Sequence, residues 1–153
     1  MKKLNTLLEI VVEQHKSFFA QAETQHQSLS PMFIAIKADG SAEQYLVDIE
    51  NEQQKQMLCD QLSEHFKSTN VQYYAFFTEA WAAIYQDRQM NVQPSKREDR
   101  TEIVLTIVAD NEGNKLGSTL EMVRDWNTNR VVELKEYEMN ATAFSGRFAE
   151  LLD

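Results

Sequence analysis

The sequence predicts an α+β fold, an antiparallel sheet of about six strands with helices packed on one face. Two observations carry this. Apolar residues recur at three- and four-residue spacing in two separate stretches, each the mark of an amphipathic helix. After residue 70, strand-like runs follow one another across short polar turns, as in an antiparallel meander. A helix with one apolar stripe buries it against the apolar face of a sheet, so a two-layer arrangement follows. The 153 residues suit one domain, 1–153, with length enough for a real core.

The elements are justified in order. Leu4, Leu7, Leu8, Val11, His15, Phe18, Phe19 and Ala22 share one helical face over about residues 3–25. Ser30-Pro31 stops that helix, because the residue before proline avoids the helical region. Met32–Ala38 and Glu43–Ile49 read as strands joined at Asp39-Gly40, a dipeptide suited to a tight turn. Asn51 caps a second helix with Met57, Leu58, Leu62 and Phe66 on its buried side, fading at Ser68-Thr69-Asn70.

Strands are then expected at 71–86, 101–110, 115–125 and 130–139, with turns at Asn111–Asn114 and Asn127–Asn129. Asn140 caps a last short helix carrying Phe144, Phe148 and Leu151, weakened by Gly146. Alternation places Ile103, Leu105, Ile107 and Ala109 on one face, with Leu116, Leu120 and Met122 as the matching set. The opposite positions, Val104, Thr106, Val108, Thr119, Glu121 and Val123, form a half-polar face. That face is expected to be open and to receive a protein partner or a second copy of the chain.

Composition narrows the function. A net charge of −9 is spread along the chain: residues 1–70 hold 6 basic and 10 acidic side chains, residues 71–153 hold 9 and 14. Such a surface repels a phosphate backbone, so no nucleic-acid partner is expected. No window approaches a membrane span, and Glu9 and Glu13 interrupt the N-terminal apolar run that would mimic a signal peptide. The single cysteine, Cys59, makes no internal disulfide, which fits a reducing cytoplasm. It falls beside an apolar helical stripe, where cysteines are inert packing residues.

The chemistry-bearing residues gather in 71–102, where a strand rich in aromatics runs into a charged loop. Counting by twos sets Glu79 with Tyr73, Phe77, Trp81 and Tyr85. Desolvation among aromatics favours the neutral acid, as a general acid or base near neutral pH requires. Residues 87–100 lack periodicity and hold Lys96, Arg97 and Arg100 against Glu98 and Asp99, a local basic patch in an acidic chain. Arginine forks suit a carboxylate or phosphate, and Glu102 is expected to partner Arg100. Structural pairing and core packing explain the same residues without any ligand.

Metal binding has little support, because His15 and His26 are about 16 Å apart along a helix, too far for one ion. His15, on the apolar stripe, is expected to be a core histidine with its hydrogen bonds satisfied. No nucleophile elbow, phosphate loop or dinucleotide fingerprint occurs, so no cofactor is expected.

Phe77-Thr-Glu-Ala-Trp81, then Pro94-Ser95, then Asp99-Arg100 and Glu102 entering a strand, resembles an uncharacterised family of small bacterial and phage proteins. With Pro31-Met32 opening the first hairpin, the resemblance covers most of residues 31–126. Many members carry His-Pro where this chain has Arg97-Glu98, so a role resting on that histidine does not carry over. The resemblance implies no activity; it marks Glu79, Trp81, Arg100 and Glu102 for a shared role. The expected function is a non-enzymatic cytoplasmic interaction protein. The alternative is an enzyme or sensor in which Arg97 and Arg100 hold a small anionic ligand, Trp81 and Glu102 line the site and Glu79 moves the proton.

Overall fold

In a computed structural model of the chain, residues 2–21, 31–47, 51–82, 101–136 and 151–152 are described. Their order is α1 (Lys2–Ala20), β1 (Met32–Lys37), β2 (Ala42–Leu46), α2 (Glu52–Ser68), β3 (Val71–Ala82), β4 (Thr101–Asp110), β5 (Lys115–Arg124) and β6 (Val131–Glu136). The six strands form one antiparallel sheet in the order β2-β1-β3-β4-β5-β6, so the α+β class and the sheet are those expected. The 87–100 loop and the expected last helix lie outside the described residues, apart from Leu151 and Leu152.

Local chemistry sets the boundaries. Asn51, in extended backbone, accepts the Gln54 N–H through its side chain at 2.9 Å and starts α2. Glu52 in the first turn and Lys67 in the last match the helix dipole, and Asn70 turns the chain out with φ 62°. At the β1–β2 turn Gly40 takes φ 86°, and the Asp39 carboxylate accepts the Ser41 N–H at 2.9 Å. The β4–β5 turn repeats the device, with Gly113 at φ 87° and Asp110 accepting from Glu112 and Asn114.

The two helices divide the sheet between its faces. Cys59, Leu62 and Phe66 of α2 meet Phe33, Tyr74, Phe76 and Ala109. Met57, expected on this buried side, is 55% exposed, because the row set by Leu62 and Phe66 passes through Cys59, two residues further on. Leu4, Leu7 and Val11 of α1 meet Ala75, Phe77 and Val108, and Phe19 meets Val104, Met122 and Val131. Phe76 and Phe77 are neighbours on one strand and so point to opposite faces. The expectation of helices on one face is therefore corrected: α1 covers one side and α2 the other. The physical reason is in the strands themselves. Ile103-Val-Leu-Thr-Ile-Val-Ala109 is apolar at nearly every position, and a strand of that kind needs cover on both faces.

The register corrects the strand matching too. Val104 stands opposite Leu120 and Val108 opposite Leu116, while Ile103, Leu105, Ile107 and Ala109 face Glu121, Thr119, Gly117 and Lys115. The supposed open face is not one surface: Val104, Thr106 and Val108 are at most 1% exposed beneath α1, while Thr119, Glu121 and Val123 belong to the other side, where Glu121 and Val123 are half-buried. Ile103 and Ile107 on the other side are buried as well. Docking on Val104, Thr106 and Val108 is thus withdrawn, and among the described residues the edge strands of the sheet are β2 and β6.

Near the C-terminus Leu151 is buried against the α2 side. Its N–H donates to the Tyr74 hydroxyl at 3.2 Å and its carbonyl accepts from Ser63 Oγ at 2.8 Å. Neither described helix is long and apolar enough to cross a membrane.

Candidate functional site

In the backbone register Glu79 lies opposite Val104 and Trp81 opposite Glu102, and Glu79 and Glu102 belong to the face that α1 covers. Glu79 is half-buried there. The side chain of Trp81, and Arg97 and Arg100 altogether, lie outside the described residues.

Glu102 takes a different partner from the one expected. Arg124 Nε donates to Glu102 Oε2 at 2.5 Å and a terminal nitrogen reaches Oε1 at 3.4 Å. This fork-to-fork pair is partly buried, the geometry in which an arginine holds a carboxylate best. Counting back from the Asn111–Asn114 turn sets Glu102 diagonal to Arg124, so the pair was open to discovery from strand register. The proximity of Arg100 in sequence hid it.

Arg124 has a second task. Its Nη1 donates to the Asn129 carbonyl at 2.8 Å, tying the ion pair to the β5–β6 turn. Inside that turn the Asp125 carboxylate accepts the N–H groups of Asn127 at 2.8 Å and Thr128 at 3.0 Å. The Asp125 N–H donates to the Arg130 carbonyl at 2.8 Å and the Asn129 N–H returns to the Asp125 carbonyl at 2.8 Å. Asn129 supplies the left-handed step with φ 60°, which asparagine tolerates better than most residues. The bonds from Thr128 and Asn127 hold the Asp125 carboxyl below its usual range.

The residue on this braced turn is Trp126, which is 90% exposed. Val132, just beyond the turn at the start of the edge strand, is 58% exposed. Nothing in hydrophobic periodicity singles Trp126 out. Its signal was composition alone: an indole set among Asp125, Asn127, Thr128 and Asn129, where turns prefer small polar residues.

Two other polar groupings deserve description. Tyr45 and Glu43 of β2 both reach Nε2 of His65 on α2, at 2.9 Å and 3.4 Å, and Lys37 pairs with Glu43. The bond from Lys37, then that from His65, lowers the Glu43 carboxyl. The group stitches α2 to the first hairpin and is partly exposed. Beside the start of α1, a concavity of about 320 Å³ is lined by Lys2, Lys3, Thr6, Ile10, Ile36 and Tyr73. A neighbouring one of about 290 Å³ adds Asp110 and Glu112 to the same lysines. Its charges are mixed, so it shows no preference for an anion. Among the described residues no group of three His, Cys, Asp or Glu could hold a metal ion.

His15 is 3% exposed, and among the described residues neither ring nitrogen has a hydrogen-bond partner. Its ring meets Phe77 edge-on at 4.6 Å, and burial pushes its pKa down to about 4. The expectation of a satisfied core histidine is corrected: it is a core histidine, but an unsatisfied one. No protein-family model, curated protein or solved structure matches this chain.

Proposed function

We propose that the chain is a non-enzymatic cytoplasmic accessory protein, encoded on a prophage, that acts by binding another protein. Trp126 is the anchor of that contact. The observation that carries this is the 90% exposure of an indole on a turn wound by four backbone N–H bonds and braced to β4 through Arg124 and Glu102. Tryptophan is enriched among the few residues that dominate interface energy. A turn already held in one conformation loses little entropy when it docks. The resemblance to small bacterial and phage proteins supports the prophage part. The burial of Val104, Thr106 and Val108 supports a contact at the edge and turn rather than on that part of the sheet.

The alternative of a small anionic ligand gains nothing from the described residues, because Arg97 and Arg100 lie outside them and Glu102 is engaged by Arg124. The test is affinity capture from host lysate with wild type and Trp126→Ala. The expected result is a protein held by wild type and lost by the variant, with unchanged melting temperature. Truncating such an anchor costs 2 kcal/mol or more, about thirtyfold in affinity. If both baits retain the same proteins, Trp126 is no anchor and the proposal fails.

A further inference from the structure

We infer that the β6 edge is a homodimer surface, on which two copies of this chain pair their β6 strands antiparallel about Leu134 to form one continuous sheet. This goes beyond the contact proposed at Trp126 and does not rest on it, since the partner here is a second copy. β6 is bonded to β5 on one side, and among the described residues no strand lies on the other. Such an edge presents a row of unpaired backbone groups. A lysine there normally blocks pairing, because a second strand would set it against no counter-charge. Here the counter-charge comes with it, two residues away.

The register follows from symmetry. Two antiparallel copies related by a two-fold axis perpendicular to the sheet keep each side chain on its own face. Opposed residues then have the same parity, so the axis passes through a residue. Centring on Glu133 sets that carboxylate against itself, and centring on Lys135 sets the ammonium against itself. Centring on Val132 meets the irregularity where Arg124 pairs with Val131 and Val123 with Glu133, leaving Val132 without an opposite residue.

Centring on Leu134 sets Glu133 against the partner's Lys135 and Lys135 against the partner's Glu133, with Leu134 meeting its own copy. Glu133 and Lys135 are exposed, and neither forms an ion pair with a described residue. Lys135 also faces Glu121 of its own β5, so the dimer puts it between two carboxylates. The other edge has no such match. The one charged residue of β2, Glu43, is already paired with Lys37.

The experiment is sedimentation velocity on wild type, Glu133→Lys, Lys135→Glu and the double exchange, at low salt, with circular dichroism on each. Wild type is expected to sediment as a dimer. Each single reversal sets like charges together twice and weakens the dimer about tenfold or more. The double exchange restores the wild-type constant, which no folding defect could imitate. A monomeric wild type, unaffected single variants, or a double exchange that stays dissociated would each overturn the register. Trp126→Ala keeps the dimer, so its loss of partner capture is read independently. A Trp126→Ala protein that sediments as a monomer would move the interface to the turn and overturn β6 pairing.

Discussion

His15 shows most sharply how a single residue trades solvation for position. The i, i+4 row Val11, His15, Phe19 places it under α1, where apolar neighbours leave both nitrogens unbonded. Its folded-state pKa of about 4 lies below the unfolded value of 6.5, so between those values the unfolded chain binds more protons. Its contribution is therefore intact above pH 6.5 and lost as pH falls toward 4, by about 3 kcal/mol in total. Asp39, Glu43, Asp110 and Asp125 also have lowered values, but their losses begin only as pH falls into the ordinary carboxylate range and continue below it. The fall between pH 6.5 and 5 belongs to His15. We expect His15→Leu to flatten that limb and to raise the melting temperature at pH 7, since it removes two unsatisfied nitrogens. Urea titrations at a series of pH values check it, and an unchanged slope would show that His15 finds a proton partner.

Among the elements, α2 is the one whose start is most plainly chemical. Asn51 satisfies a free N–H of the first turn, and Cys59, Leu62 and Phe66 form its buried row. Asn51→Ala should cost about 1 kcal/mol, read as a lower urea midpoint at unchanged slope. Here sequence and structure agree, because caps and turn glycines act within a few residues. The same holds at Asp39-Gly40 and Asn111–Asn114, whose positive-φ glycines were legible as turns. The Glu102–Arg124 pair was less accessible, since it joins residues far apart in sequence and needs strand register.

At the scale of the whole molecule, β3 is shared by two cores. Phe76 belongs to the α2 side and Phe77 to the α1 side, while β4 gives Ala109 to one and Val108 to the other. Neither layer can come away without exposing the back of the other. Unfolding is therefore expected to be a single transition in which far-ultraviolet and near-ultraviolet signals coincide. Phe66→Ala on one face should cost about 3–5 kcal/mol, with Val11→Ala lower, and both should move that same midpoint. Two separated transitions, each sensitive to one substitution, would show the layers to be independent.

The sequence by itself determined the α+β class, the number of strands, the turn positions and most of the buried row of α1, but it set Met57 on the buried side of α2 where Cys59 stands. Each depends on periodicity or on chemistry within a few residues. Only the tertiary structure decided that the helices take opposite faces, that Val104 and Val108 are buried beneath α1, that His15 lacks partners and that Glu102 holds Arg124. An apolar strand such as Ile103–Ala109 carries no mark of which face meets which helix, because both faces are greasy. That choice is made by chain connection and register, which leave Trp126 exposed on the β5–β6 turn.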